Sequence, residues 1–391
     1  MLDNILGRIG GGFSLSKLFK KKEESFLGLD IGISAIKIVQ LKKSKGTAVL
    51  ETYGELSLGP YANLEEGKAT NLTNKQISGA ILDLLKESTV NVTTCGVSIP
   101  LNSSLIFEME VPKVSKEQLR KIVPIEARRF IPVPVSEVTL DWRVVPEDNL
   151  FIDGQDPLED QRSAVNDEKS QKEKKNRKNK TKIFVVAIHK NTVERYKDIV
   201  RNAKLGLEFL EIEIFSTIRS IVGHNTGTVA VLDIGSGVTK LYIVEYGIVR
   251  KSHIINRGSQ DITAAIARSM GISTEKAEEK KRGIGLSGEG LDKEVSDIVL
   301  TNLKYIFESV SDVLIGYQNE HNKNISNLIF TGGGSVIKGL TDYASKNLEI
   351  ESTVANPFGS IKTPAFLDDT LKEIGPEFAV AVGLALRGLG K

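Results

Sequence analysis

A motif that occurs twice constrains this chain more than anything else in it. FLGLDIGISAIKIVQL, beginning at Phe26, and VAVLDIGSGVTKLYIV, beginning at Val229, match at a constant offset of 203, with Asp30 on Asp233, Gly32 on Gly235 and Lys37 on Lys240. Each copy is an apolar run, a tight glycine turn and a second apolar run, which predicts a hairpin. Solenoid units recur every roughly 20–50 residues, so a repeat this distant points instead to two related lobes. At roughly 150 residues per domain, 391 residues accommodate both lobes and a further unit.

That further unit is expected over residues 96–212, between a first lobe at 26–95 and a second at 213–391 whose last helix closes back on the first. In the first lobe, Ile77, Ile81, Leu84 and Leu85 recur at helical spacing after Thr73, predicting a helix over 74–88. In the insertion, strands are expected near 107–111, 138–145 and 183–188. Ser115 and Gln118 form a capping box that opens a helix running through Arg129 with a kink at Pro124. A second helix, 191–204, is expected to stop at Gly206. Residues 147–182 lose their hydrophobic signal, passing from an acidic stretch to a Lys/Arg run, and read as a disordered charged loop. The 1–25 leader is amphipathic and ends in Lys20, Lys21 and Lys22, a pattern suited to a solvated tail or a weak membrane-surface contact.

After the second hairpin, helices are expected near 259–270, 273–282 and 291–319. A strand from Leu328 then runs into Gly332, Gly333 and Gly334, which is expected to open a helix, and a small-residue helix from Glu377 to Arg387 ends the pattern.

Composition narrows the function classes. Lys and Arg total 52 against 50 Asp and Glu, too even a balance for a dedicated nucleic-acid binder. The 169–182 basic run lacks aromatic residues to stack on bases. One cysteine forbids an intrachain disulfide, and four scattered histidines have no zinc-ligand spacing. No stretch reaches 18 consecutive apolar residues, and the N-terminus does not read as a secretory signal, so a cytoplasmic location is expected.

The chemistry follows from the hairpins. Each presents an aspartate at a strand end and backbone amides in a glycine turn, a combination suited to phosphate, with the carboxylate holding Mg²⁺ through water. Two copies facing each other could grip both ends of a triphosphate. The Gly332–Gly334 turn would offer amides to an anion or to the nucleoside end of a nucleotide, or serve as a plain strand-to-helix connection. Gly283, Gly285 and Gly288 fit a dinucleotide fingerprint in spacing but follow a Lys/Glu-rich helix rather than a strand, and there is no P-loop. Glu278 and Lys281 share a helix face, where a carboxylate can accept ribose hydroxyls, although spacing alone favours a solvated face in this Lys/Glu-rich helix. Glu211 and Glu213 precede a helix, where ordinary capping and solvation explain both; either could orient a water for hydrolysis, and Glu213 is the candidate catalytic residue.

In the order LGLDIG, VLDIGSGVTK and FTGGGSVIKGL the sequence resembles the actin, Hsp70 and sugar-kinase superfamily. Within it, the leader LFKKKEESFLGLDIG, the run IEARRFIPVPVSEVTLDW, the stretch DITAAIARSMGISTEKAEEKKRG and the NPF at 356–358 resemble the PilM family of type IV pilus assembly, an FtsA-like branch. The resemblance implies a two-lobed actin-like α/β ATPase fold with an inserted α+β subdomain. It implies ATP and Mg as cofactors, with Asp30 and Asp233 holding the metal through water. Gly32, Ser34, Lys37, Gly235, Ser236, Gly237 and Thr239 would surround the phosphates. Glu278 and Lys281 would contact ribose and adenine, and Gly332, Gly333 and Gly334 would flank adenosine. Ile33 and Ser259 depart from the usual Ser and Gly.

The same resemblance implies a scaffold with at most slow ATPase activity at the inner face of the cytoplasmic membrane. It would bind the N-terminal cytoplasmic peptide of a PilN-like membrane protein in a groove lined by Arg128, Arg129, Phe130 and Ile131, and link the membrane platform to pilus motor ATPases. It also leaves room for homo-oligomers. The alternatives are an FtsA-like filament-forming protein and a small-molecule kinase, although no aspartate base for a kinase is identifiable.

Overall fold

The computed structural model describes residues 24–145, 180–222 and 227–390. The expectations for the leader up to residue 23 and for the charged loop over 147–179 lie outside these residues, while Lys180–Lys182, expected in the disordered loop, instead open a strand that pairs with 110–112. The chain enters as β1 (Ser25–Ile31), β2 (Ala35–Ser44), β3 (Thr47–Ser57), α1 (Asn74–Glu87) and β4 (Thr94–Ile99). It continues through β5 (Ser104–Pro112), α2 (Lys116–Glu126), β6 (Val138–Val144), β7 (Lys180–His189), α3 (Lys190–Asn202), β8 (Gly206–Ile212) and α4 (Glu213–Ile221). The second half contains β9 (Thr228–Ile234), β10 (Thr239–Glu245), β11 (Ile248–Ile255), α5 (Ser259–Met270), α6 (Thr274–Ile284) and α7 (Lys293–His321). β12 (Asn327–Thr331), α8 (Leu340–Leu348), β13 (Glu351–Val354), α9 (Asp368–Ile374) and α10 (Ala379–Gly388) complete it.

The repeat extends well beyond its motif. One five-stranded sheet has the order β3-β2-β1-β4-β8 and the other β11-β10-β9-β12-β13. In each, the motif hairpin is antiparallel, a third antiparallel strand follows outside it, and two parallel strands extend the sheet beyond the first hairpin strand. The register repeats too, with Asp30 opposite Lys37 and Asp233 opposite Lys240. β10 is buried along its whole length although it carries Thr239, Lys240 and Glu245, so these polar side chains must find partners inside the fold.

A three-stranded antiparallel sheet, β5-β7-β6, forms the insertion, with α2 packed over it through Leu119 and Val123. The insertion is narrower than the expected 96–212. β4 and β8 are strands of the first-lobe sheet, and Tyr196, Ile199 and Val200 of α3 join the first-lobe core, so the small sheet occupies 104–189. Lys204 at φ +60° makes the turn that follows α3, while the expected stop, Gly206, is the first residue of β8 and donates its N–H to Thr93 O at 2.7 Å. The capping box at Ser115 is present, and α2 gives way after Glu126 to a 3-10 turn over Ala127–Arg129.

α10 joins the halves. A Cβ on Gly383 would lie 1.9 Å from Ser216 O of α4, and one on Gly28 would lie 2.0 Å from Ala381 O. Only glycine permits backbones this close. This packing places α10 against the first hairpin and α4 at once, which fixes the position of the turn that precedes α10 in the space between the lobes.

Candidate functional site

Both hairpins open onto one cavity of about 820 Å³ between the lobes. Gly32 N–H bonds Ala35 O at 3.0 Å and Gly235 N–H bonds Val238 O at 3.0 Å, closing two equivalent turns. The tip amides of Ile33, Ser34, Ser236 and Gly237 make no hydrogen bond among the described residues, and all four residues line the cavity. Ser259 and Gln260, at the start of α5, donate their N–H groups to Gly235 O and Ser236 O, so the second turn is fastened to a helix.

The two aspartates sit differently. Asp30 Oδ1 accepts the hydroxyl of Ser98, on β4, at 2.6 Å. Burial pushes its carboxyl above the ordinary range, against that hydrogen bond and the charges of Lys37 and Lys240, and the charge of Asp233 pushes the same way. Lys37 turns from Asp30 to Glu55 at 2.9 Å and Glu377 at 3.7 Å. Asp233 instead meets its own lysine: Lys240 Nζ lies 3.2 Å from Asp233 Oδ2 and 2.7 Å from Glu213 Oε2. Burial opposes the Lys240 charge, yet Asp233 and Glu213 hold its pKa well above the ordinary lysine value.

Glu213 has no idle oxygen. Its Oε1 accepts the Leu101 N–H at 2.6 Å while Oε2 takes Lys240. Burial foremost, with Asp233 beside it, raises the Glu213 pKa in spite of Lys240. Glu211 is turned elsewhere, clamped by Arg219 at 2.7 Å and Arg387 at 2.6 Å, and fastens β8 to α4 and α10.

The sequence-predicted residues divide. Asp30, Gly32, Ser34, Lys37, Glu213, Asp233, Gly235, Ser236, Gly237, Glu278, Gly332 and Gly333 line the cavity; Thr239, Lys281 and Gly334 do not. Thr239 is buried and donates its hydroxyl to Arg257 O. Lys281 is 2% exposed and donates to Glu278, Thr263 Oγ1 and Ser259 O, so it supports Glu278 from behind rather than facing the cavity. Gly334 packs on Ile234, and a Cβ there would lie 2.3 Å from Ile234 Cγ2.

The triple glycine does not open a helix as expected. Gly333–Val336 is a single 3-10 turn, and α8 starts only at Leu340. Gly332 has φ +79°, and a Cβ on it would lie 2.4 Å from Asp233 Oδ1, so glycine is needed on both counts.

Several cavity residues carried no sequence signal. Glu377, in the turn before α10, lies 3.7 Å from Lys37 and 3.6 Å from Arg282, one partner from each lobe. Gln260 Nε2 donates to Gly67 O and its Oε1 accepts the Ala69 N–H at 3.0 Å, joining the loop after β3 to the second lobe. The lysine repeat offered a clue to Lys240, but Glu213 lies 27 residues upstream of it, and only the fold pairs them. Carboxylates Asp30, Glu55, Glu66, Glu213, Asp233, Glu278 and Glu377 outnumber Lys37, Lys68, Lys240 and Arg282 around the cavity. A polyphosphate suits such a wall only with a cation, and the facing Asp30 and Asp233 fit one held through water.

The expected partner groove is partly closed. Arg128 and Arg129 are exposed and Phe130 is half exposed, stacked on Phe107 at 4.8 Å. Ile131 is buried in the core of the small sheet, which removes it from any partner surface.

The family described as type IV pilus assembly protein PilM matches residues 28–156 and 167–389. Among curated relatives, the cell division protein FtsA of Bacillus subtilis (strain 168) is 22% identical over 384 residues, covering 88% of this chain and 81% of that protein. FtsA of Pseudomonas aeruginosa is 23% identical, with 93% and 89% covered. Among solved structures, a PilM-PilN type IV pilus biogenesis complex superposes with a TM-score of 0.74 at 24% identity, covering 93% of this chain and 98% of that one. The ethanolamine utilization protein EutJ from Carboxydothermus hydrogenoformans gives 0.50 at 14% identity, with 93% and 89% covered. The fold is the two-lobed actin-like one.

Proposed function

The chain belongs to the type IV pilus assembly PilM family, and from that premise we propose that it is an ATP-binding scaffold which holds a PilN-like inner-membrane protein by its N-terminal cytoplasmic peptide. The observation that carries the reading is the pair of register-matched hairpins, whose aspartates and open turn amides face one cavity beside an inserted sheet.

In this reading the tip amides of both turns, with Ser34 and Ser236, take the phosphates. Glu278 takes the ribose, and Gly332 and Gly333 flank the nucleoside. Asp30 and Asp233 would hold magnesium through water, and the cation would supply positive charge to offset that of the phosphates. Glu213, with both oxygens engaged by Leu101 and Lys240, is not free to orient a water, and turnover is slow or absent. Exposed Arg128 and Arg129, with Phe130, offer cations and an apolar face to an extended peptide. The solved relative, a PilM-PilN complex, supports a partner of this kind. Linkage to pilus motor ATPases and a position at the membrane periphery belong to the same proposal; among the described residues no helix is long and apolar enough to cross a membrane.

Equilibrium binding of Mg-ATP, with and without the N-terminal peptide of the PilN-like protein encoded by the same organism, tests the proposal. Both should bind, and Arg128→Glu should weaken the peptide while leaving Mg-ATP unchanged. A peptide that fails to bind under every nucleotide condition defeats the scaffold reading.

A further inference from the structure

Both hairpin aspartates are connected to the place where the insertion leaves the first lobe. Ser98, whose hydroxyl bonds Asp30, is the penultimate residue of β4, and three residues later the Leu101 N–H bonds Glu213. Glu213 in turn shares Lys240 with Asp233. The stretch from Ser98 to Leu101 leads directly into β5, the first strand of the insertion. Ser98, Glu213, Asp233 and Lys240 are all buried, so these contacts exchange little with water.

A second leg starts at the same glutamate. Glu213 is the first residue of α4, and Phe215, two residues on, meets Phe184 of β7 edge-on at 5.8 Å and lies under the Arg143 guanidinium of β6 at 5.2 Å. The Leu101 side chain packs in the core formed by Ile212, Ile214, Val231 and Tyr242. The insertion is therefore held at β5 through Leu101, whose N–H bonds the Glu213 carboxylate, and at β6 and β7 through Phe215, on the helix that Glu213 begins.

We infer that Glu213 is a relay by which ligation at Asp30 and Asp233 changes the hold on the inserted sheet. The element with two arrangements is the ammonium of Lys240. Shared between Asp233 and Glu213, it moves toward Glu213 when a cation engages Asp233 and away when phosphate oxygens draw it. Either move alters the carboxylate that holds Leu101 and begins α4. Ser98 couples Asp30 to the same root. The relay rests on the nucleotide reading above and specifies how the cavity regulates the proposed partner-binding subdomain; a coupling claim of this kind requires such a two-state element.

Hydrogen–deuterium exchange on the full chain tests it. Without ligand, Glu213→Gln, which retains the Leu101 acceptor but loses the charge, should speed exchange about fivefold in 104–112 and 180–189 relative to 36–42. Ser98→Ala should speed 104–112 alone. With Mg-ATP, exchange in the insertion strands of the parent should change by about fivefold or more, whereas Phe215→Leu, outside the cavity, should bind Mg-ATP as the parent does and lose most of the response in 180–189. Unchanged insertion exchange in ligand-free Glu213→Gln and Ser98→Ala overturns the relay, as does a full response in Phe215→Leu. Parent protein that binds no Mg-ATP overturns the nucleotide reading, and the ligand-free comparison still decides the relay.

Discussion

The two hairpins share sequence, turn and register, yet solve the burial of an aspartate in opposite ways. In the first, the hydroxyl of Ser98 on the neighbouring parallel strand satisfies Asp30, and Lys37 leaves for Glu55, its register partner on β3. In the second, the corresponding hydroxyl, that of Thr331, goes to Pro376 O, and Lys240 stays with Asp233. The third strand decides which: Lys37 faces a glutamate there, whereas Lys240 faces Ile254, which offers it nothing polar. One neutral donor and one full counter-charge make Asp30 the carboxylate in greater need of a cation, and Asp233 the one already balanced.

Removing the lysines tests that contrast most severely. Lys240→Met leaves Asp233 and Glu213 buried without a cation and should cost about 3–5 kcal/mol in urea unfolding. Lys37→Met breaks a pair with the half-exposed Glu55 and leaves the largely buried Glu377 with Arg282 alone among the described residues, and should cost less, about 1–2 kcal/mol. Equal losses would show that the two lysines do the same work.

The next effect concerns the strand beside each aspartate. Gly332 follows Thr331 where Ile99 follows Ser98, so one strand breaks against its aspartate and the other continues. Gly332→Ala places a methyl 2.4 Å from Asp233 Oδ1 at φ +79° and should cost about 2–3 kcal/mol. A cost near zero would mean that the turn relaxes and does not brace Asp233.

Asp30 supplies the pH test. Its carboxyl is raised, chiefly by burial, so the folded protein binds that proton more tightly than the unfolded chain does. Its contribution therefore favours folding below the ordinary Asp value of about 3.9 and declines as pH rises through the raised folded value. Asp30→Asn removes the decline and should add about 1 kcal/mol at neutral pH, while weakening Mg-ATP about tenfold or more. Glu211 has the opposite sign. Burial works against it, but Arg219, Ser216 and Arg387 lower its pKa, so its stabilisation holds above the ordinary Glu range and fades as pH falls through the lowered value. Urea midpoints of the Asp30→Asn and Glu211→Gln proteins against pH should separate these two carboxylates.

What the sequence made legible was local. The hairpins, the Ser115 capping box and the helices expected over 74–88 and near 291–319 all depend on neighbours a few residues apart. The bounds of the insertion were hidden because β4–β8 pairing is parallel and joins strands about a hundred residues apart, with no turn between them to signal it. Lys281 shares a helix face with Glu278, but spacing cannot say which of two polar neighbours turns inward. Here the lysine does, reaching Thr263 on α5. Glu377 belongs to no motif, and only the close packing of α10 brings it between Lys37 and Arg282.

The smallest predicted effect probes the one tip residue that departs most from its counterpart. Ile33 is 47% exposed, and its Cδ1 lies 2.6 Å from where a Cβ on Gly237 would stand, so an apolar side chain of the first turn rests on the bare backbone of the second. Its equivalent, Ser236, carries a hydroxyl. Ile33→Ser makes the turns alike. Because the side chain is half exposed, stability should move by no more than about 0.5 kcal/mol. One added hydroxyl near the open amides should strengthen Mg-ATP by about one hydrogen bond, roughly 1 kcal/mol or fivefold. A larger stability loss with no gain in affinity would mean that Ile33 clamps the lobes together across the cavity, and that the asymmetry of the two turns serves closure rather than ligand contact.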